Sequence, residues 1–166
     1  AVMSLVRERL PDDVGQLLSA KGYTISCAES CTGGLLTSTL TDVPGSSHYV
    51  MGSVVSYSND VKSRILHVPE EILSAYGAVS PETALAMAKG VRSLIRTDIG
   101  VGITGIAGPG GGSAKKPVGL VYIAVTVDGK NAVKKNLFTG VRTEIKCAAV
   151  SKALVMVQEM LREMDE

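Results

Sequence analysis

The chain has 166 residues, 45% of them hydrophobic, and a formal net charge of +1. That length suits a single domain spanning residues 1–166 with a real core, and that hydrophobicity excludes disorder. Near-neutral charge and only 4% aromatics exclude a basic, base-stacking nucleic-acid surface, and no apolar run reaches membrane-spanning length.

The first residues, Ala1-Val2-Met3-Ser4, lead into Arg7, Glu8 and Arg9 rather than an apolar signal core. Cys27, Cys31 and Cys147 are an odd set that closes no disulfide framework. Both features point to a cytoplasmic protein. His48 and His67 lack ligand spacing, so no metal is expected.

Apolar periodicity predicts a helix over 3–21, with Val6, Leu10, Val14, Leu17 and Leu18 on one face. Pro11 breaks or restarts it and Gly22 stops it. A strand follows at 23–28. The Gly33-Gly34 turn then opens a helix to Thr41, and 43–47 reads as a turn. Residues 49–57 form the next strand candidate, rich in Val and Tyr. Ser58-Asn59-Asp60 starts a short helix through Leu66, and 69–75 suits another that Gly77 ends.

Ser80-Pro81-Glu82 opens a helix to about residue 96. A strand over 98–104 leads into a glycine-rich loop over 105–116. Strands over 118–127 and 132–139 are joined by Asp128-Gly129, a hairpin signal. The last helix covers 142–163 and buries Ile145, Ala149, Ala153, Met156 and Met160. Early alternation of strands and helices with a terminal hairpin implies an α/β fold, a three-layer α/β/α sandwich around a mixed sheet.

Four places carry candidate chemistry. The run Ala28-Glu29-Ser30-Cys31-Thr32-Gly33-Gly34 crowds a strand-to-helix turn with hydroxyls, a thiol and two glycines. Such a turn offers helix N-terminal N–H groups to a ligand. Ser30 there is either a helix cap or a nucleophile, and Thr32, Gly33 and Gly34 could supply donors for an oxyanion. Lys62 follows Asn59 by three residues on a short helix, with Tyr57 just before it. A lysine is a base only when neutral, and burial or the positive helix end at Gly33 would favour that form. Tyr57 could then relay a proton or hold the amine. The plainer alternative is a solvated Lys62 and a half-buried Tyr57. Thr104 and Gly105 lead into the glycine-rich loop at a strand end, where α/β proteins bind ligands, although a mobile surface loop fits as well. Arg142 is a cation in a helix first turn, where the dipole disfavours it. Either an anionic ligand or an ion pair with Glu144 or another acid accounts for it.

Other matches fail. Gly100-Val101-Gly102-Ile103-Thr104-Gly105 fits the dinucleotide fingerprint in letters but lies within a strand with no helix after it. The loop has no G-K-[ST]. Ser113-Ala114-Lys115-Lys116 has the spacing of penicillin-recognising enzymes, but the motif order is inverted and K-T-G is missing. With only His48 and His67 available, no Ser-His-Asp triad can be assembled.

Taken jointly, AESCTGG at 28–34, VPGSS at 43–47, YSNxxK at 57–62, GAVS at 77–80, TGIAGP at 104–109 and KPVG at 116–119 resemble one family. It is the CinA C-terminal domain, including the stand-alone PncC-type nicotinamide mononucleotide deamidases. The resemblance implies an α/β/α fold, no cofactor or metal, and hydrolysis of the carboxamide of nicotinamide mononucleotide. It implies Ser30 as nucleophile, Lys62 as general base and Tyr57 in support. Thr104 with the surrounding glycines, Asn59 and Arg142 would hold the substrate. The expected partner is a small pyridine nucleotide, with a homo-oligomer as the usual assembly. Two rival readings are a nucleotide-binding or regulatory module of the same type without turnover, and a structural subunit whose glycines only shape turns.

Overall fold

Five short runs build one sheet, buried through its middle strands and more polar and exposed at the edge formed by the last run. In a computed structural model describing residues 9–165, β1 (Ile25–Glu29) is buried along its whole length. It pairs in parallel with β2 (Val50–Val55) on one side and β3 (Ile99–Gly105) on the other. β4 (Leu120–Val127) runs antiparallel to β3, and β5 (Lys130–Leu137) closes the sheet in the order β2-β1-β3-β4-β5. The Asp128-Gly129 turn joins the last two strands as the dipeptide predicts.

Helices cover both faces, giving the α/β/α sandwich. α1 (Leu10–Lys21), α2 (Leu35–Thr41) and α6 (Arg142–Glu163) pack together on one face. α5 (Pro81–Ile95) covers the other, across β1, β3 and β4. Ile145, Ala149, Ala153, Met156 and Met160 of α6 are all buried, so the stripe read from the spacing is the core face. Gly100 and Gly102 explain why the false dinucleotide fingerprint exists. A Cβ on either would lie 2.2 Å from a carbonyl oxygen of α5, at Ala88 or Ala84. The glycines let the helix sit directly on β3 and bind nothing.

Several boundaries differ from the sequence reading for local reasons. Pro11 lies in the first turn of α1, the place of a residue that starts a helix. Val6 and the stretch before it lie outside the described residues. Tyr23 and Thr24 precede β1, and Thr24 donates to the Asp98 carboxylate through its N–H at 2.8 Å and its hydroxyl at 3.1 Å. β2 ends at Val55, short of Tyr57. The VPGSS run folds as the turn into β2, with the Ser46 N–H on the Val43 oxygen at 3.1 Å.

Candidate active site

The chain leaves β1 toward β2 on one side, while β3 lies on the other. The crevice beyond the C-terminal ends of β1 and β3 is therefore the switch point where open α/β sheets bind ligands. Ser30 is the first residue past β1, and its N–H donates to the Ile103 oxygen at 3.0 Å. The end of β3 thus fixes the serine. A cleft of about 260 Å³ opens here, with Ser30, Cys31 and Lys62 in its floor.

Ser30 does not cap α2. The N-cap position is Gly34, with a φ of 103°, and it has no side chain to accept with. The capping group is Glu29, the last residue of β1, which is fully buried. Its carboxylate accepts the N–H groups of Leu36 and Thr37, each at 2.9 Å. It also takes the hydroxyls of Thr32 at 2.6 Å and Thr37 at 2.7 Å. An anion already sits on the positive end of the helix, supplied by the chain itself. Thr32, Gly33 and Gly34 accordingly do not line the cleft, and the Gly33 N–H is spent on the Ser30 oxygen at 3.1 Å. Of the oxyanion donors expected at 32–34, the Gly33 N–H is thus taken up within the turn.

Lys62 comes from α3 (Asn59–Arg64), started by Ser58, whose hydroxyl accepts the Val61 N–H at 3.2 Å. Its side chain is 1% exposed, and the solvated alternative therefore fails. The Nζ lies 3.2 Å from Ser30 Oγ and 2.7 Å from the Ser56 carbonyl oxygen. Among the described residues no carboxylate lies within ion-pair distance of it. Burial pulls its pKa below the ordinary lysine value of 10.5, with Cys31 opposing weakly. Desolvation does the work that the sequence reading divided between burial and the end of α2. Cys31 itself is pushed up to about 11, chiefly by burial, so it stays a neutral thiol near neutral pH.

The rim is built differently. Tyr57 is 63% exposed, and its hydroxyl oxygen accepts from the Arg142 guanidinium at 2.8 Å. The other arm of Arg142 donates to the Gly108 carbonyl at 2.6 Å. The relay expected of Tyr57 has no hydrogen bond to Lys62 or Ser30 behind it; its partner is Arg142. Glu144 makes no ion pair with Arg142 and instead accepts the Val141 N–H at 2.9 Å, ahead of α6. Arg142 thus stands at the cleft mouth with no carboxylate partner among the described residues.

Asn59, Thr104 and Gly105 line the same cleft, as do Gly108, Gly110 and Gly111 of the glycine-rich loop. The Thr104 hydroxyl donates to the Ala78 oxygen at 2.7 Å, which ties the GAVS run into the wall. Lys116 of the KPVG run donates to the Tyr76 oxygen at 2.7 Å and anchors the far end of the loop. Sequence reasoning missed Glu29 and the Ser56 carbonyl. The only available signal for Glu29 was a carboxylate closing an otherwise uncharged strand six residues before a helix.

Comparison with known proteins agrees with this architecture. The chain is 49% identical over 169 aligned residues to a "Putative competence-damage inducible protein" of Moorella thermoacetica, covering 95% of this chain and 41% of that protein. A protein of the same description from Desulforudis audaxviator is 51% identical, over 89% of this chain and 36% of that one. The chain thus spans well under half the length of these curated relatives. Among solved structures, the competence/damage inducible protein CihA of Agrobacterium tumefaciens superposes with a TM-score of 0.86 at 42% identity, covering 97% of this chain and 95% of that one. A competence-damaged protein (CinA) superfamily protein of Escherichia coli gives a TM-score of 0.90 at 31% identity, covering 95% and 91%. Residues 7–161 match the CinA C-terminal domain, and the chain belongs to that family.

Proposed function

We propose that this domain hydrolyses the carboxamide of nicotinamide mononucleotide to nicotinate mononucleotide and ammonia. The observation that carries the chemistry is the buried Lys62 amine 3.2 Å from the Ser30 hydroxyl, with no carboxylate among the described residues in ion-pair reach. The choice of substrate rests on the family resemblance. A cationic rim at Arg142 suits its phosphate.

In this reading neutral Lys62 takes the Ser30 proton as Oγ bonds to the carboxamide carbon. The carbonyl π pair moves onto oxygen. Collapse of the tetrahedral adduct breaks the C–N bond, and the Lys62 ammonium returns its proton to the departing nitrogen as ammonia. Water, deprotonated by the same amine, then splits the nicotinoyl ester and restores Ser30. The Ser56 carbonyl accepts an N–H of the amine throughout and keeps its lone pair aimed at the serine.

Incubation with nicotinamide mononucleotide and an ammonia assay test the reading. The intact protein releases ammonia, and Ser30→Ala does not while keeping its fold. Retained activity in Ser30→Ala refutes the covalent route. Tight binding of the nucleotide without ammonia favours the regulatory module instead.

A further inference from the structure

With the end of α2 occupied by Glu29, a tetrahedral oxyanion on Ser30 needs donors from elsewhere. The cleft wall contains them. Cys31 and Ala107 are buried residues lining the cleft, and the backbone N–H of neither meets a normal acceptor among the described residues. Cys31 has only its own thiol, a weak acceptor, nearby. Buried backbone donors left over in this way are rare and call for a partner.

The direction of both groups is fixed by the atoms behind them. A trans peptide sets its C=O and N–H antiparallel. The Ser30 carbonyl accepts the Gly33 N–H at 3.1 Å inside the turn, so the Cys31 N–H on the same peptide points out of it. The Ile106 carbonyl accepts the Gly119 N–H at 2.7 Å, and the Ile106 N–H donates to the Leu120 oxygen at 2.9 Å. The Ala107 N–H, on the far side of that peptide, faces away from the 119–120 strand entry. Both residues follow the ends of neighbouring parallel strands, with Glu29 paired to Ile103. Gly108 is different, because its carbonyl holds Arg142 and it belongs to the rim.

We propose that the main-chain N–H groups of Cys31 and Ala107 form the oxyanion hole that receives the carboxamide oxygen when Ser30 attacks. One donor from the residue after the nucleophile and one from a neighbouring strand's loop is a recurring arrangement in serine hydrolases. The inference rests on the proposed Ser30 chemistry. It assigns a role to the start of the glycine-rich loop that is separate from holding phosphate.

The test is Ala107→Pro, which deletes one donor at a residue whose φ is not in the left-handed region. With nicotinamide mononucleotide, kcat falls on the order of 10² to 10³-fold, the effect of removing one oxyanion donor, and KM changes little. A folded Ala107→Pro protein with a kcat within a few fold of the parent overturns the hole. If Ser30→Ala is inactive in the same assay, the nucleophile reading survives that result. If the parent protein releases no ammonia, both fall together. Should Ala107→Pro not fold, the parent is assayed with thionicotinamide mononucleotide, whose sulfur is a poor acceptor. A kcat at least about 10²-fold lower than for the oxygen substrate, after correction for their rates in alkali, supports the hole, and comparable kcat values overturn it.

Discussion

The floor and the rim of the cleft are made on opposite principles. Ser30 is 8% exposed and Lys62 1%, and each is held by main-chain atoms of the sheet or its exits. Tyr57 and Arg142 stand in solvent and hold each other, 85 residues apart in sequence. Burial favours the neutral form of a lysine, the form that can take a serine proton, while an exposed guanidinium is free to meet an anionic ligand. The two regions should therefore fail in different ways.

The largest effect belongs to the floor. Lys62→Met lowers kcat by about 10⁴-fold or more, like loss of a serine hydrolase base, and leaves the fold intact. In the parent, activity rises with pH up to the lowered lysine pKa and then levels off, with the midpoint below 10.5. Stability carries the same signature. Between the lowered folded value and 10.5 the unfolded chain holds one proton more, so stability climbs with pH across that window. Thermal melts in that window show the climb in the parent and lose this part of it in Lys62→Met.

Next comes the support beneath the floor. Glu29→Gln replaces an acceptor of four hydrogen bonds with a group that can take only part of them. Denaturant unfolding shows a loss of about 2–3 kcal/mol. A value near zero would mean that α2 does not depend on this carboxylate.

The rim gives smaller and more specific effects. Arg142→Gln raises KM for the mononucleotide by roughly tenfold or more and leaves kcat within a few fold. A comparable fall in kcat would place Arg142 with the floor and erase the division. Tyr57→Phe removes only the acceptor for one arm of Arg142, and KM rises about two- to fivefold, the scale of one exposed hydrogen bond. A collapse of kcat in Tyr57→Phe would restore the proton relay that the sequence alone suggested.

Much of the fold was legible because its signals are local. Ser80-Pro81 announces α5, Asp128-Gly129 announces the hairpin, and the stripe from Ile145 to Met160 announces the buried face of α6. The site was legible only as a set of residue types. Whether Lys62 is solvated or buried depends on whether α3 brings its amine to Ser30 and the Ser56 carbonyl, which no local pattern encodes. The cap at Ser30 was a reasonable local reading, and it fails because Glu29 reaches α2 from within the strand. The Tyr57–Arg142 pair joins distant segments and was visible only once the chain had closed.

The Glu29 carboxylate has a consequence for how this protein responds to its medium. It silences the pole of α2, so electrostatic attraction toward the mouth falls to side-chain cations such as Arg142, which lies in reach of counterions. Added electrolyte should weaken capture of a phosphorylated molecule and spare the turnover that follows, because the buried reacting pair is screened much less.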